Sequence, residues 1–218
     1  MVSTEGEVNF SFKLVILGDS GVGKTNLLQR FTKNIFSLAT RSSMGFNNDY
    51  KTLDIEGKTV RAEIWDTPGQ DRYRAMLNPF YRGAVGALLV YDLTNAETFT
   101  NLQKWMKEIK NYGESIETVL LIGNKSDKEE ERNVKQSDAM AFAQKNGIAY
   151  IETSALNANN VDKAFEIILT NLVKNKTSNI PAPAPPKLDV EGKSKKIGNE
   201  EHRQFDDTVR KTCSCSLL

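Results

Sequence analysis

The chain is nearly without two of the residue types that carry most polar chemistry. Its only histidine is His202 and its only cysteines are Cys213 and Cys215, all near the C-terminus. The body therefore offers no imidazole and no thiol, which excludes a Ser-His-Asp triad, a cysteine nucleophile and a His/Cys zinc site there. Any chemistry must come from hydroxyls, carboxylates, amides, Lys/Arg and backbone. A cysteine-free body has no disulfide framework and fits a reducing compartment. Long apolar runs are also missing: the block from Ala84 to Tyr91 is far below the ~20 residues that span a bilayer. The opening residues, MVSTEGEVNF, lack the cationic start and apolar stretch of a signal peptide, so a cytosolic protein is expected. Nor is there an excess of charge. Lys plus Arg number 29 against 28 Asp plus Glu, a net charge of +1 over 218 residues, which argues against nucleic acid as a partner held by charge.

Proline is scarce until it is concentrated: four of the six prolines fall between Pro181 and Pro186. From about Lys176 onward large apolar residues thin out, and the text reads as an extended tether without a core of its own. Residues 1–10 read as a short polar arm. Between them, residues 11–175 alternate apolar blocks with helical patterns. FKLVIL (12–17), ALLVYD (87–92), VLLIGN (119–124) and AYIETS (149–154) are expected strands, followed by helices over 24–33, 98–111, 136–146 and 160–174. In the second helix Phe99, Leu102, Trp105, Met106 and Ile109 share one face. This alternation predicts an α/β layer fold with a mostly parallel sheet. Residues 48–56 and 58–65 break it as two strands joined by a tight turn around Glu56-Gly57. Period-2 reading puts Leu53, Ile55, Val60, Ala62 and Ile64 inward. It puts Asn48, Tyr50, Thr52 and Asp54 outward, and sets Trp65 on the same polar face.

Directly after the first strand comes Gly18-Asp19-Ser20-Gly21-Val22-Gly23-Lys24-Thr25, a match to G-x-x-x-x-G-K-[ST]. The glycines let successive backbone N–H groups converge on a phosphate chain, Lys24 reaches the β/γ-phosphates and the Thr25 hydroxyl can ligate Mg²⁺. The following helix adds the positive end of its dipole. The nucleotide is argued from two later strand ends, Asn124-Lys125-Ser126-Asp127 and Glu152-Thr153-Ser154-Ala155. Ligands of doubly wound sheets bind at carboxyl ends of strands, so both face the first loop. A fixed Asp127 carboxylate accepts from guanine N1–H and N2–H₂ together, and adenine offers no such pair. A third segment, Asp66-Thr67-Pro68-Gly69-Gln70, supplies a carboxylate for Mg²⁺ through water, an N–H at Gly69 for a γ-phosphate, and Gln70 to orient an attacking water.

GDSGVGKT, WDTPGQ, GNKSD and ETSAL, in this order and spacing, resemble the Ras superfamily of small GTPases. Tyr81-Arg82-Gly83-Ala84-Val85-Gly86-Ala87, Asn34-Ile35-Phe36 and the C-terminal cysteines narrow the resemblance to the Rab family, and most to its recycling-endosome and trans-Golgi branch. The resemblance covers residues 11–175 and implies a P-loop small G domain: a six-stranded, mostly parallel sheet with one antiparallel strand and helices on both faces. It implies a guanine nucleotide held by Gly18 to Thr25 with Asn26, Phe36 against the base, and Asn124 and the Ala155 N–H at its edge. Lys125 would cover the ring, with Asp127, Ser154 and Leu156 around it. Residues 37–47 and 66–80 would be the two switch segments. Mg²⁺ would be held by Thr25, Ser43 and Asp66, with Ser43 standing where the family usually has Thr.

The activity implied is hydrolysis of GTP to GDP and phosphate, with Gln70 and Lys24 as the catalytic pair, slow without an activating protein. Partners implied are an exchange factor, an activating protein, a chaperone for the prenylated form, and effectors reading Phe46, Asn48, Trp65 and Phe80. Asn48 replaces the Phe usual in the family's surface aromatic triad, and Pro68 replaces the usual Ala. Pro68 keeps open an alternative, a nucleotide-binding trafficking scaffold with impaired hydrolysis. An ATP-dependent kinase sharing the phosphate loop is a third reading. The ending Cys213-Ser-Cys215-Ser-Leu-Leu reads as a geranylgeranylation signal with a Cys-x-Cys pair. Residues 176–211 hold eight Lys/Arg against six Asp/Glu, too small an excess to anchor by charge, so two lipids are expected to carry membrane binding. The expected location is the cytosol and the cytoplasmic face of endomembranes.

Overall fold

A computed structural model of the chain describes residues 7–37, 47–70 and 77–178, all within one compact unit, Met1–Pro181. The described elements are β1 (Phe10–Leu17), α1 (Lys24–Lys33), β2 (Asn47–Ile55), β3 (Lys58–Asp66), α2 (Asn78–Tyr81), β4 (Gly86–Asp92), α3 (Ala96–Thr100), α4 (Leu102–Tyr112), β5 (Thr118–Asn124), α5 (Gln136–Asn146), β6 (Ala149–Thr153) and α6 (Val161–Ser178). The six strands form one sheet in the order β2-β3-β1-β4-β5-β6. Only the β2–β3 pair is antiparallel; β1 pairs in parallel with β3 and β4, and β5 with β4 and β6.

The central strands are apolar at successive positions because both their faces are covered. Leu14, Ile16, Leu88, Val90, Leu120 and Ile122 face one core, closed by Leu27, Leu28 and Phe31 of α1 and by α6 from Val161 to Val173. Val15, Leu17, Ala87, Leu89, Tyr91 and Leu121 face the other, closed by Tyr81, Trp105, Met106, Ile109, Phe142 and Ala143. The chemistry-bearing loops all leave from strand carboxyl ends between these layers. Among the described residues no helix is long and apolar enough to cross a membrane.

Two expectations are corrected in detail. The helix read over 98–111 is two, with a break at Asn101. Its side-chain amide bonds to Asp19 of the first loop at 2.7 Å. The helix read over 160–174 continues to Ser178, so residues 176–178 are helix rather than tether, and Lys176 there bonds Glu117 at 2.6 Å. At the other end, Asn9 pairs with Thr59 through bonds of 2.9 and 2.8 Å, fastening the end of the N-terminal arm to β3.

The hairpin forms as the alternation requires, with Ile55 opposite Lys58 and Asn48 opposite Trp65. Its two turn residues have φ of 50° (Glu56) and 75° (Gly57), the left-handed pair that matches the twist of the flanking strands. Glycine suits the second position, whereas glutamate at the first is strained. Trp65 keeps the face of Asn48 and Glu63, as expected, but is not left open to solvent there. It is half-buried against the second core, edge-on to Phe80 at 5.5 Å, because α2 covers that end of the strand. Replacing Glu56 with Asn, which tolerates left-handed backbone, should stabilise the fold by about 0.5 kcal/mol. The lost Glu56–Lys174 pair, 3.0 Å long and exposed on both sides, is worth less than that. Thermal melts of Glu56→Asn and the parent check it; the expected rise is about 1–2 °C.

Candidate nucleotide site

The first loop runs from the end of β1 into α1. Gly23, with φ of 97°, caps the helix, and the first intrahelical bond is Leu27 N–H to Gly23 C=O at 2.9 Å. The N–H groups of the preceding turn are thus left for a ligand, at the positive end of the helix. A Cβ on Gly23 would come within 2.4 Å of the Asn124 side-chain nitrogen, so a larger residue is barred both by backbone angle and by space. Val22 is buried, whereas Ser20 and Gly21 are exposed.

Lys24 is only 6 % exposed. Its ammonium donates to the carbonyls of Gly18 (2.7 Å) and Asp19 (2.8 Å), folded over the loop that it closes. Burial pulls it down to about 8, against the opposing influence of Asp66 and Asp19. The Thr25 hydroxyl donates to Asp66 Oδ2 at 2.5 Å, bringing together a hydroxyl from α1 and a carboxylate from the end of β3. These are hard oxygen donors and fit Mg²⁺. Ser43 and Phe46 lie outside the described residues, as do Cys213 and Cys215.

Asn26 holds the segment after α1 by two bonds with Ser37, 3.2 and 3.3 Å. Phe36 between them is partly buried against the first core. Thr67 is buried and donates to Ile16 C=O at 2.6 Å, which fixes where β3 ends. Pro68 is buried and Gln70 half-buried. The backbone of Gly69 lies on the first loop, since a Cβ there would fall 2.3 Å from Asp19 C and 2.4 Å from Ser20 N. Two of the three expected segments therefore meet.

The third meets them through Asn124. This residue is 1 % exposed. Its amide nitrogen donates to Val22 C=O at 2.8 Å, and its oxygen accepts from Thr153 Oγ1 at 3.2 Å and Ala155 N–H at 3.3 Å. Sequence reasoning assigned Asn124 to the base; the fold also makes it a strut joining three loops. Asp127 is held by the Ser154 hydroxyl at 2.5 Å. Lys125, at φ 71°, is ion-paired with Asp92 at 2.6 Å.

Several residues here were not singled out from the sequence. Arg30 of α1 donates to Ala155 C=O (2.9 Å), Leu156 C=O (3.0 Å) and the Asn34 side chain (2.9 Å), pinning the last loop to the first helix. Glu152, before Ser154, is gripped by Arg132 at 2.8 and 2.9 Å and by the Tyr150 hydroxyl at 2.6 Å. Burial pushes that carboxyl up, yet these partners hold it below its usual value. Asp92 and Glu152 carried a usable signal, each being a carboxylate at the end of a parallel strand.

On the hairpin, Asn48 donates to Glu63 Oε1 at 3.3 Å and Trp65 Nε1 donates to the same oxygen at 3.1 Å. Phe80, expected on the surface, is 9 % exposed and belongs to the second core.

A glycine loop on a helix N-terminus, a carboxylate and hydroxyl beside it, and two loops braced against it define a P-loop switch protein for nucleoside phosphates. The Ras family model matches residues 13–174, and the chain belongs to that family. It is 51% identical over 166 residues to "Ras-related protein Rab2BV" of Beta vulgaris, covering 76% of this chain and 78% of that one. "Ras-related protein Rab11C" of Lotus japonicus is 50% identical over 166 residues (76% and 77%), and "Ras-related protein Rab11A" of Nicotiana tabacum 51% over 166 (76% and 77%). The chain is a Rab-like small GTPase that regulates vesicle trafficking. Members of the family bind GTP and GDP, and Mg²⁺ is typical of them. Nothing in these findings favours the impaired-hydrolysis alternative.

Lys24 sets a pH dependence. Its folded value is depressed, so below pH 8 both folded and unfolded chains hold the proton and the cost of burying the charge is complete. Between pH 8 and the unfolded value of 10.5 the unfolded chain binds more protons, and stability rises with pH by up to ~1.4 kcal/mol per unit. Melts of nucleotide-free protein from pH 7.5 to 9.5 should show this rise in the parent and a flatter profile in Lys24→Met.

Proposed function

We propose that the guanine nucleotide lies with its phosphates over Gly18 to Thr25 and Asn26, and its base between Phe36, Lys125 and the Ser154–Ala155–Leu156 loop. The reading is supported above all by Asn124, whose buried amide bridges the phosphate loop and the last loop and so sets the spacing between phosphate and base. Asp127, oriented by Ser154, accepts from the guanine edge. Thr25, Asp66 and Ser43 would hold Mg²⁺, which when bound neutralises charge on the β- and γ-phosphates. Lys24 leaves its two carbonyls for the phosphates, Gln70 aligns the attacking water, and the Gly69 N–H meets the γ-phosphate. No protein base is required.

The partners follow from this reading. An exchange factor and an activating protein speed the two slow steps, and effectors read the switch segments and the strands between them. A chaperone of the escort or dissociation-inhibitor type shields lipids on Cys213 and Cys215. The compartment proposed is the recycling endosome or trans-Golgi, supported by the Rab11-named relatives.

Asp127→Asn tests the base assignment. An amide donates where guanine also donates, so GDP affinity should fall by at least ~10-fold, while xanthosine diphosphate gains. Equal GDP affinity in titrations of both proteins would remove Asp127 as the reader.

Asn48 should govern effector choice. A partner shaped for Phe loses roughly 80 Å² of apolar contact, about 2 kcal/mol at ~25 cal/mol/Å². It must also cover the Asn48 amide and the Glu63 carboxylate bonded to it, which opposes binding further. The GTP-loaded parent should therefore bind helical effectors of the Rab11 branch ~10²-fold more weakly than Asn48→Phe. Calorimetric titration of one such effector against both proteins checks it, with GTP affinity unchanged.

A further inference from the structure

Asp19 has the wrong charge for its position. It sits in Gly18–Thr25, where backbone N–H groups, a helix N-terminus and Lys24 all favour an anion, yet it brings a carboxylate. A carboxylate turned into that cradle would repel the phosphates it adjoins. The structure turns it away. Oδ2 accepts from Asn101 Nδ2 at 2.7 Å and Oδ1 accepts from Trp105 Nε1 at 2.8 Å. Each oxygen is thus held by its own donor. One donor comes from the break between α3 and α4, the other from a fully buried indole on α4. The backbone of the same residue stays with the loop, its carbonyl accepting from Lys24 and its peptide lying against Gly69.

Packing alone accounts for a buried tryptophan on α4, and a helix break needs no side-chain partner. Neither accounts for two donors from adjacent turns converging on the two oxygens of one carboxylate in a phosphate loop. We propose that Asn101 and Trp105 are positioning residues of the nucleotide site: they hold the Asp19 carboxylate off the phosphates and so raise the loop's affinity for a nucleoside polyphosphate. Hydrogen bonds to an ionised group are the strong ones, and both act on a group adjoining the ligand rather than on the ligand. The inference rests on the phosphates seating over Gly18–Thr25.

The test is the release rate of a ribose-labelled fluorescent GDP from the full chain. Trp105→Phe keeps an aromatic ring in the core and deletes the N–H; Asn101→Ala deletes the other donor in a helix-compatible way. Each should speed release about three- to thirty-fold, and more at low than at high salt. In an Asp19→Asn background, where no carboxylate charge remains, the same two substitutions should change release less than about twofold. Parental release in both single variants overturns the proposal. Equal acceleration with and without the Asp19 charge also overturns it, since the two residues would then only support the fold. Asn101→Ala decides the matter if Trp105→Phe fails to fold. Lys24→Ala separates the premise from the inference: parental GDP affinity there would mean that the phosphates do not sit on this loop.

Discussion

The interaction on which the site depends is the hydrogen bonding of one buried amide. Asn124 ends β5 with its nitrogen on Val22 C=O and its oxygen on Thr153 and Ala155. A side chain that is 1 % exposed cannot fall back on water, so losing any of these bonds leaves a buried polar group with its full desolvation cost. The three loops are therefore fixed relative to one another before any ligand arrives. The constraint also runs back into the sequence: because the Asn124 nitrogen occupies the space beside Gly23, a Cβ at 23 has no room. The last glycine of the phosphate motif is thus as much a condition of the strut as of the phosphate.

Helix α1 distributes this rigidity. Within seven residues it supplies Lys24 to the loop carbonyls, Thr25 to Asp66, Asn26 to Ser37 and Arg30 to the carbonyls of Ala155 and Leu156. Each side chain points to a different segment because successive helical positions turn by about 100°. The buried side of the same helix, Leu27, Leu28 and Phe31, is fixed against α6 and the sheet, with Phe31 stacked on Phe165 at 3.8 Å. Core packing thus sets the angles at which the polar side chains reach their loops.

Much of this was legible in the residues. The strands, the helices over 24–33 and 136–146, the Glu56-Gly57 turn and the inward set Val60, Ala62 and Ile64 follow from periodicity and turn chemistry. What escaped is whatever depends on a distant partner. Asn101 breaks a helix that local pattern reads as continuous, and its partner lies 82 residues away. Trp65 satisfies period 2 yet faces a second core, because a short helix from another part of the chain covers it. Phe80, read as surface from the family's triad, is drawn under by the same packing. Arg30 and Arg132 look like ordinary exposed helix and loop charges; only the fold supplies the carbonyls and carboxylates that they bind.

The join between site and surface lies just past β3. Asp66 is bonded to α1 through Thr25 and Thr67 is bonded to β1 through Ile16, so both are held by the core. Pro68, buried and without an N–H, restricts Thr67 further by disfavouring helical angles before it. Gly69 then lies on Asp19 and Ser20 so closely that not even a Cβ fits between them. Any group entering that space must displace Gly69 or the loop, and the loop is held by Asn124, Lys24 and the two donors on Asp19. Of the two, Gly69 is the easier to displace, since it only rests on a loop that those bonds brace.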